Sequence, residues 1–355
     1  MLRISGGANR GAFRPLPGLQ PPQVSLARFA VRIHFYMPEN CLPAPEELPY
    51  WLEGLPRRIE PPGKASTAQN WILLTYARLA RAGWPVELCH TMPENGIVIA
   101  LTGNLSKSFR PASGTFLTGV VADGIPHPAC HFHVLQNPLH AGRLPRSCYL
   151  PHWPQPGLIS RNPSRGDRFE NLAFIGDPRN LAPELRDPAF LARIQKKFGI
   201  LFRPGSTADW NDYSDADAVL AIRKFGPQPF LRKPATKLYN AWMAGVPFLG
   251  GSDSAFFSEG CPGVNYLRCT TSAEMESSLD ALHRDAGLRH RLVAAGREAA
   301  KRFTPGCILS RWSNLLDARL AVEARTFFAK GPAAKMFHRA TQRVLVEIDR
   351  VRGLD

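Results

Sequence analysis

The chain has 355 residues, 44% of them hydrophobic and 21% charged, which suits a soluble, globular protein with enough length for two average domains and too much for one ordinary core. Its formal net charge of +15 favours an anionic partner: nucleic acid, an acidic membrane surface or a phosphorylated small molecule. No apolar run approaches the roughly 20 residues that span a bilayer, and the seven cysteines are scattered without a C-x-x-C pair. That pattern argues against a disulfide framework or structural zinc site and for free thiols, most of them buried, in a reducing, cytoplasmic compartment.

Residues 1–28 contain arginines, prolines and glycines but no acidic residue and no continuous apolar stretch. A disordered basic tail is expected there, since prolines at 15, 17, 21 and 22 would break an amphipathic helix. "FAVRIHFY" (29–36) reads as a buried first strand. The Pro-rich segment 38–62 reads as a functional loop, too broken for regular structure. "STAQNWILLTYARLARAGW" has helical periodicity, with Ser66 or Thr67 as its cap and Gly83 as its stop. "PVELC", "GIVIAL", "TFLTGVVAD" and "CHFHVLQNP" continue as strands, and this rhythm implies right-handed βαβ units in a parallel sheet.

Prolines, glycine and arginines cluster around "YLPHWPQPGLISRNPSRGD" (149–167), which marks a domain boundary. The alternation then restarts: strand "NLAFIGD", a proline-broken helix "APELRDPAFLARIQKKFG", strand "ILFR", a turn and strand in "DYSDADAVLAIR", helix "ATKLYNAWMAG" and strands "VPFLGG" and "NYLRC". Thr271 and Glu274 form a capping-box pattern ahead of "SAEMESSLDALHRD", and "GLRHRLVAAGREAAKRF" is a further helix. The basic tail from Ile308 to Arg352 reads as helical, interrupted at Gly331-Pro332. The expected fold class is α/β: two Rossmann-like domains, 29–155 and 156–312, with a cleft between them and C-terminal helices in 313–355.

Ligands of open α/β sheets sit at the carboxyl ends of the strands, where helix N-termini also point. If "AVLAIR" is a strand, Arg223 lies at its carboxyl end, and "KPATKLYNAWMAGVPFLGG" (233–251) follows. Pro234 suits a helix start and Thr236 its cap or first turn. Free amides there, with Lys233 and Lys237 beside them, favour an anion. Lysines in a first turn oppose the helix dipole, so helix stability alone would not place them there. Ala241, Ala244 and Gly245 let the helix lie close to the sheet, and the glycine-rich end of the next strand makes Ser252 and Ser254 candidate ligand contacts.

The order of these elements resembles the donor-binding C-terminal domain of glycosyltransferases with the two-domain GT-B fold. The residues carrying the resemblance are "TKLYNAWMAGVPFL", the glycine-ended strand "LAFIGD" and the helix "LRHRLVAAGREAAKRFT". It covers about residues 165–315, and the N-terminal half by topology only. The resemblance implies a nucleotide-diphosphate sugar as donor substrate, held in the interdomain cleft by basic side chains and a helix N-terminus without a metal or other cofactor. Gly176, Arg223, Lys233, Thr236, Lys237, Asn240, Ser252 and Ser254 are the donor-site candidates. It also implies a carbohydrate or lipid-linked hydroxyl acceptor, as in polysaccharide biosynthesis, on an N-terminal acceptor domain. Many retaining members carry two glutamates in an E-x7-E pattern. This chain has Arg232 and Asn240 in those slots, so contacts to the donor sugar and ribose do not carry over.

An inverting reaction would need a base from the N-terminal domain, and Asp123 and His127, at and after the end of "FLTGVVAD", are the candidates. The bland reading of that pair is a turn aspartate and a solvated histidine. His131 and His133, two apart on a strand, fill a sheet face without a convincing metal-ligand set. The acids of "DWNDYSDADAV" read as turn and cap chemistry. A non-catalytic basic protein binding nucleic acid or anionic membrane is one alternative, against which stands the lack of a nucleic-acid-reading motif, and an epimerase or hydrolase of the same fold is another. The C-terminal "RTFFAKGPAAKMFHRATQRVLVEIDRVR" mixes aromatic and basic residues. Packing back on the N-terminal domain is its simpler role; peripheral contact with the anionic inner face of a membrane is the other.

Overall fold

The structure, a computed structural model, describes residues 31–54, 64–204 and 210–352. Strand β1 (Ile33–Tyr36) is followed by a short helix α1 (Leu48–Leu52), so the Pro-rich stretch is not wholly irregular: Pro49 stands in its first turn and Trp51 is buried beneath it. Next come α2 (Lys64–Ala68), a π turn (Gln69–Leu73) and α3 (Leu74–Arg81). Ser66 and Thr67 lie within this helical run rather than capping it. Strands β2 (Val86–Cys89), β3 (Asn95–Leu101), β4 (Gly114–Ala122) and β5 (Phe132–Leu135) lead to helix α4 (Pro138–Arg143) and β6 (Ser147–Tyr149). Asn137 caps α4 by accepting from the Leu139 amide, with Pro138 at the first position.

The second half runs β7 (Asn171–Phe174), α5 (Pro188–Phe198), β8 (Leu201–Pro204), β9 (Ala218–Ala221), α6 (Thr236–Ala244), β10 (Phe248–Gly250), α7 (Ser254–Glu259) and β11 (Leu267–Arg268). Helices α8 (Ser272–Arg284), α9 (Ala286–Ala300), α10 (Pro305–Asn314), α11 (Ala321–Phe328) and α12 (Pro332–Arg352) complete it. The Thr271–Glu274 capping box forms as expected.

Two parallel sheets result, in the orders β2-β1-β3-β4-β5-β6 and β11-β10-β9-β7-β8. Each reverses direction beside its first strand, at β1/β3 and at β7/β9, the topological switch point where α/β sheets bind ligands. Strands such as Ile97–Leu101 and Ala218–Ala221 are apolar without alternation because helices or loops cover both faces.

The N-terminal core is completed from the far end of the chain. Ile308, Trp312, Leu316, Leu320 and Phe327 pack with Phe35, Trp71, Ile97 and Phe116, and Trp84 Nε1 donates to Ser313 Oγ at 3.0 Å. The second sheet has separate cores on its two faces. No disulfide joins any of the seven cysteines. Only Cys41, Cys130 and Cys269 are buried and Cys261 and Cys307 are exposed, so burial is not the rule for most of them. Among the described residues no helix is long and apolar enough to cross a membrane.

Candidate functional site

Backbone geometry places Lys237. Helix α6 begins at Thr236, and its N-cap Ala235 offers no side-chain cap, so Thr236 takes the first-turn position, its Oγ1 accepting from Tyr239 at 3.2 Å. The helix ends on Gly245 at φ +73°, where a Cβ would lie 2.6 Å from Arg297 Nη2. Opposite, the loop after β7 turns at Gly176 with φ +149°, and a Cβ there would stand 2.8 Å from Lys237 Nζ. Glycine therefore makes the room the lysine occupies. Its ammonium also lies 5.3 Å from the Phe174 ring centroid. Burial, together with the charges of Arg223 and Lys233, pulls the Lys237 amine down to about 7, against a partial pull upward from Asp253.

Arg223 leaves the end of β9 and is clamped. Its Nε donates to Asp253 Oδ1 at 2.8 Å and its Nη1 to Asn180 Oδ1 at 3.1 Å. Burial pushes the Asp253 carboxyl up while Arg223 resists, and Asp253 Oδ2 has no partner among the described residues. Lys233 Nζ reaches across to Asp123 Oδ2 at 3.3 Å, joining the two domains. Asp123 follows Ala122, a non-glycine residue at φ +55° beside an irregularity in the β4–β5 register. Such backbone strain is held in place where surrounding structure demands it and is frequent at functional sites.

Arg223, Lys233, Lys237, Asn180 and Asp123 line one interdomain cleft of about 230 Å³. Its C-terminal wall carries Asp177, Arg223, Lys233, Thr236, Lys237 and Asn240, and its N-terminal wall Asn70, Trp71, Ala122 and Asp123. Asn240 is nearly buried, and its Oδ1 also accepts from the Gln155 amide at 3.2 Å, tying α6 to the interdomain linker. The volume is below the roughly 300–1,000 Å³ usual for small-molecule sites, and the Lys233–Asp123 bridge crosses it.

Four sequence candidates do not line this cleft: Gly176, which backs Lys237 from behind, and His127, Ser252 and Ser254. His127 has both ring nitrogens on backbone groups, Nε2 with the Ser106 carbonyl at 3.0 Å and Nδ1 accepting from the Ala129 amide at 3.2 Å. It is nearly buried, not a solvated histidine. Ser252 Oγ donates to the Gly226 carbonyl. Ser254 Oγ accepts from Asn137 Nδ2 at 2.8 Å, and the same amide group reaches the Lys233 carbonyl at 3.2 Å. Both serines therefore hold loops and the domain interface.

Elsewhere, His131 and His133 are buried in the sheet as expected, and Asp217 is held by Arg161, Arg165 and the amides of Glu170 and Asn171. At the β1–β2 edge His34 Nδ1 lies 3.2 Å from Glu87 Oε2 and 3.5 Å from Cys89 Sγ. This is the one grouping of three ligand-type side chains among the described residues.

Sequence reasoning missed Asn70, Trp71, His152 and Trp210. Asn70 is nearly buried in the π turn with its Oδ1 lacking a partner among the described residues. Trp210 Nε1 is likewise unpartnered there. His152 lies edge-on to Trp71, with ring centroids 4.6 Å apart, and its Nδ1 faces the Trp153 carbonyl. A carbonyl can only accept, so Nδ1 carries the proton and Nε2 the lone pair. Burial lowers the His152 pKa, and the nearby Asp123 carboxylate counters it. The sole sequence signal was a histidine and a tryptophan inside a linker too short of turn residues' usual polarity, "PHWPQP".

No family model matches the sequence, and no curated protein matches it either. Among solved structures, HepE of Anabaena, in complex with UDP and glucose, is 13% identical over 81% of this chain and 100% of its own, with a TM-score of 0.49. AviGT4, a glycosyltransferase involved in avilamycin A biosynthesis, is 16% identical over 82% of this chain and 98% of its own, TM-score 0.48. Sucrose-phosphate synthase from Thermosynechococcus elongatus is 12% identical over 69% and 76%, TM-score 0.46. Likeness at this level assigns neither substrate nor residue roles.

Proposed function

We propose that the protein is a glycosyltransferase that moves a sugar from a nucleotide-diphosphate donor to a hydroxyl acceptor. The observation that carries this reading is the cationic floor at the β7/β9 switch point: Lys237 on the first turn of α6, fitted against Gly176, with Lys233 and Arg223 beside it. A diphosphate seated there meets the charges of Lys233 and Arg223 and the amide end of a helix together, and draws Lys237 into its ammonium form. The same groups stabilise the charge that grows on the diphosphate as the glycosidic bond breaks. They provide that stabilisation without a metal ion. Trp210 and Asn70 line the same cleft and bring an aromatic ring and an amide side chain to it.

On the acceptor side, neutral His152 takes the proton of the attacking hydroxyl at Nε2, and the Asp123 carboxylate favours the imidazolium that forms. Asp123 becomes available for this when the donor diphosphate replaces it as the partner of Lys233. The proposed division is an N-terminal acceptor domain over residues 29–155, a donor domain over 156–312 and returning helices beyond. The test is nucleoside diphosphate release from UDP, GDP, dTDP and ADP sugars with mixed hydroxyl acceptors, with and without a chelator. Acceptor-dependent release that survives chelation, and falls at least about tenfold in His152→Gln, supports the reading. Release that ignores the acceptor would mark a hydrolase instead.

A further inference from the structure

Helix α12 is inside out. The face it turns to the N-terminal domain is mostly polar, with Val346 its one buried apolar residue: Asp349 accepts from His140 Nε2 at 2.9 Å, Gln342 Oε1 accepts from Arg146 Nη1 at 3.3 Å, and the His338 ring lies 5.7 Å from that of His131. The outward face carries the large exposed apolar residues. Phe337 is 74% exposed, Met336 70%, Val351 64%, Val344 58% and Ile348 41%. Phe337, Val344, Ile348 and Val351 follow a helical stripe, with Thr341 the remaining member. A chain does not ordinarily leave such a stripe to water; contiguous apolar surface of this kind marks a contact face.

Charge around the stripe selects the contact. A groove of about 520 Å³ runs along the first half of α12, walled by Arg110, Lys330, Lys335, Arg339 and Arg343, with no acidic residue in its lining and Met336 at its edge. Further along, Arg350 and Arg352 add two cations against the single exposed acid Glu347. A second copy would bring this cationic border against itself. Residues 1–30, with four arginines and no acid, do not complement it either. An anionic bilayer does: the apolar stripe enters the headgroup–acyl boundary and the lysines and arginines meet lipid phosphates.

We infer that the outward face of α12, with its basic groove, docks the protein on the surface of an anionic lipid bilayer. The helix lies in the membrane plane; its polar inner face stays bound to the N-terminal domain. The inference stands on the helix and does not depend on the glycosyl-transfer reading.

The experiment is co-sedimentation of the full chain with vesicles of phosphatidylglycerol mixed with phosphatidylcholine, and of phosphatidylcholine alone. More than about tenfold greater binding to the anionic vesicles is expected, weakening in high salt. Phe337→Glu with Val344→Glu should abolish it while the melting temperature stays within a few degrees, because both side chains are exposed. Arg343→Gln alone should reduce it without touching the stripe. Equal or no binding to the two vesicle types, or binding unchanged in both variants, overturns the inference. So does a dimer in sedimentation velocity that Phe337→Glu dissolves, since a second copy would then cover the stripe.

Discussion

With its amine held near pH 7, Lys237 should make donor binding depend on pH in a calculable way. In the free protein, burial and the neighbouring Arg223 and Lys233 keep about half of the amines neutral at that pH. A diphosphate beside Nζ favours the ammonium, so binding raises the lysine pKa towards its ordinary range and takes up a proton. Affinity is therefore full below pH 7 and falls as pH rises, approaching tenfold per unit until the bound-state pKa is reached. Between pH 7 and pH 9 the loss is about fiftyfold if the bound pKa lies above 9. The assay is isothermal titration calorimetry with a nucleotide-diphosphate sugar, whose diester phosphates do not titrate near neutrality, in two buffers of different ionisation enthalpy. Proton uptake close to one per site is expected at pH 8, and close to zero at pH 5.5. Lys237→Met should lose this uptake and weaken binding by about 2 kcal/mol, the worth of one hydrogen bond to a charged group. Equal affinity at pH 7 and 9, or uptake unchanged in Lys237→Met, would refute the reasoning.

Gly176→Ala puts a methyl group 2.8 Å from Lys237 Nζ at a backbone angle that side chains resist. Donor affinity should fall about tenfold or more, and equilibrium binding that matches wild type would show that the lysine does not need this space. Asp217→Ala leaves Arg161 and Arg165 without their shared carboxylate, to which both donate at 2.7 Å. A loss of about 4 kcal/mol is expected in denaturant titration, and a loss under about 1 kcal/mol would mean that solvent satisfies the arginines. His131 is pushed down to about 3 and His133 and His338 to about 4, all chiefly by burial. Their stabilising effect is complete above the unfolded value near 6.5 and is lost as pH falls below it, by up to about 1.4 kcal/mol per histidine per unit. Denaturation midpoints should drop between pH 7.5 and pH 5; a flat profile would contradict the burial of these rings.

The second sheet and its cationic loop were legible because several elements there are followed by a residue with a local reason to be there: Gly176 after β7, Arg223 after β9, Gly245 after α6. The expected first-turn lysines are in fact one: Lys237 stands in the first turn of α6, while Lys233 precedes the helix, and both reach the same wall of the cleft. The N-terminal wall was not legible, because its members carry no local pattern. Asn70 and Trp71 look like any amphipathic helix residues until the π turn rotates them, and His152 sits in a proline-rich stretch that reads as linker. His127 failed as a cleft residue for the opposite reason. Its position after a strand end is right, but the loop folds back and gives its ring to the carbonyl of Ser106. Helix α12 shows a further limit, since apolar periodicity reports which residues share a face and not whether that face turns inward.

The most direct measurement is the melting temperature of wild type and Lys237→Ala against UDP, GDP, dTDP and ADP sugars. If the lysine at the start of α6 holds the diphosphate, one nucleotide class should raise the wild-type value and raise that of the substituted protein much less. No shift with any of the four, or equal shifts in both proteins, would contradict a donor site in this cleft.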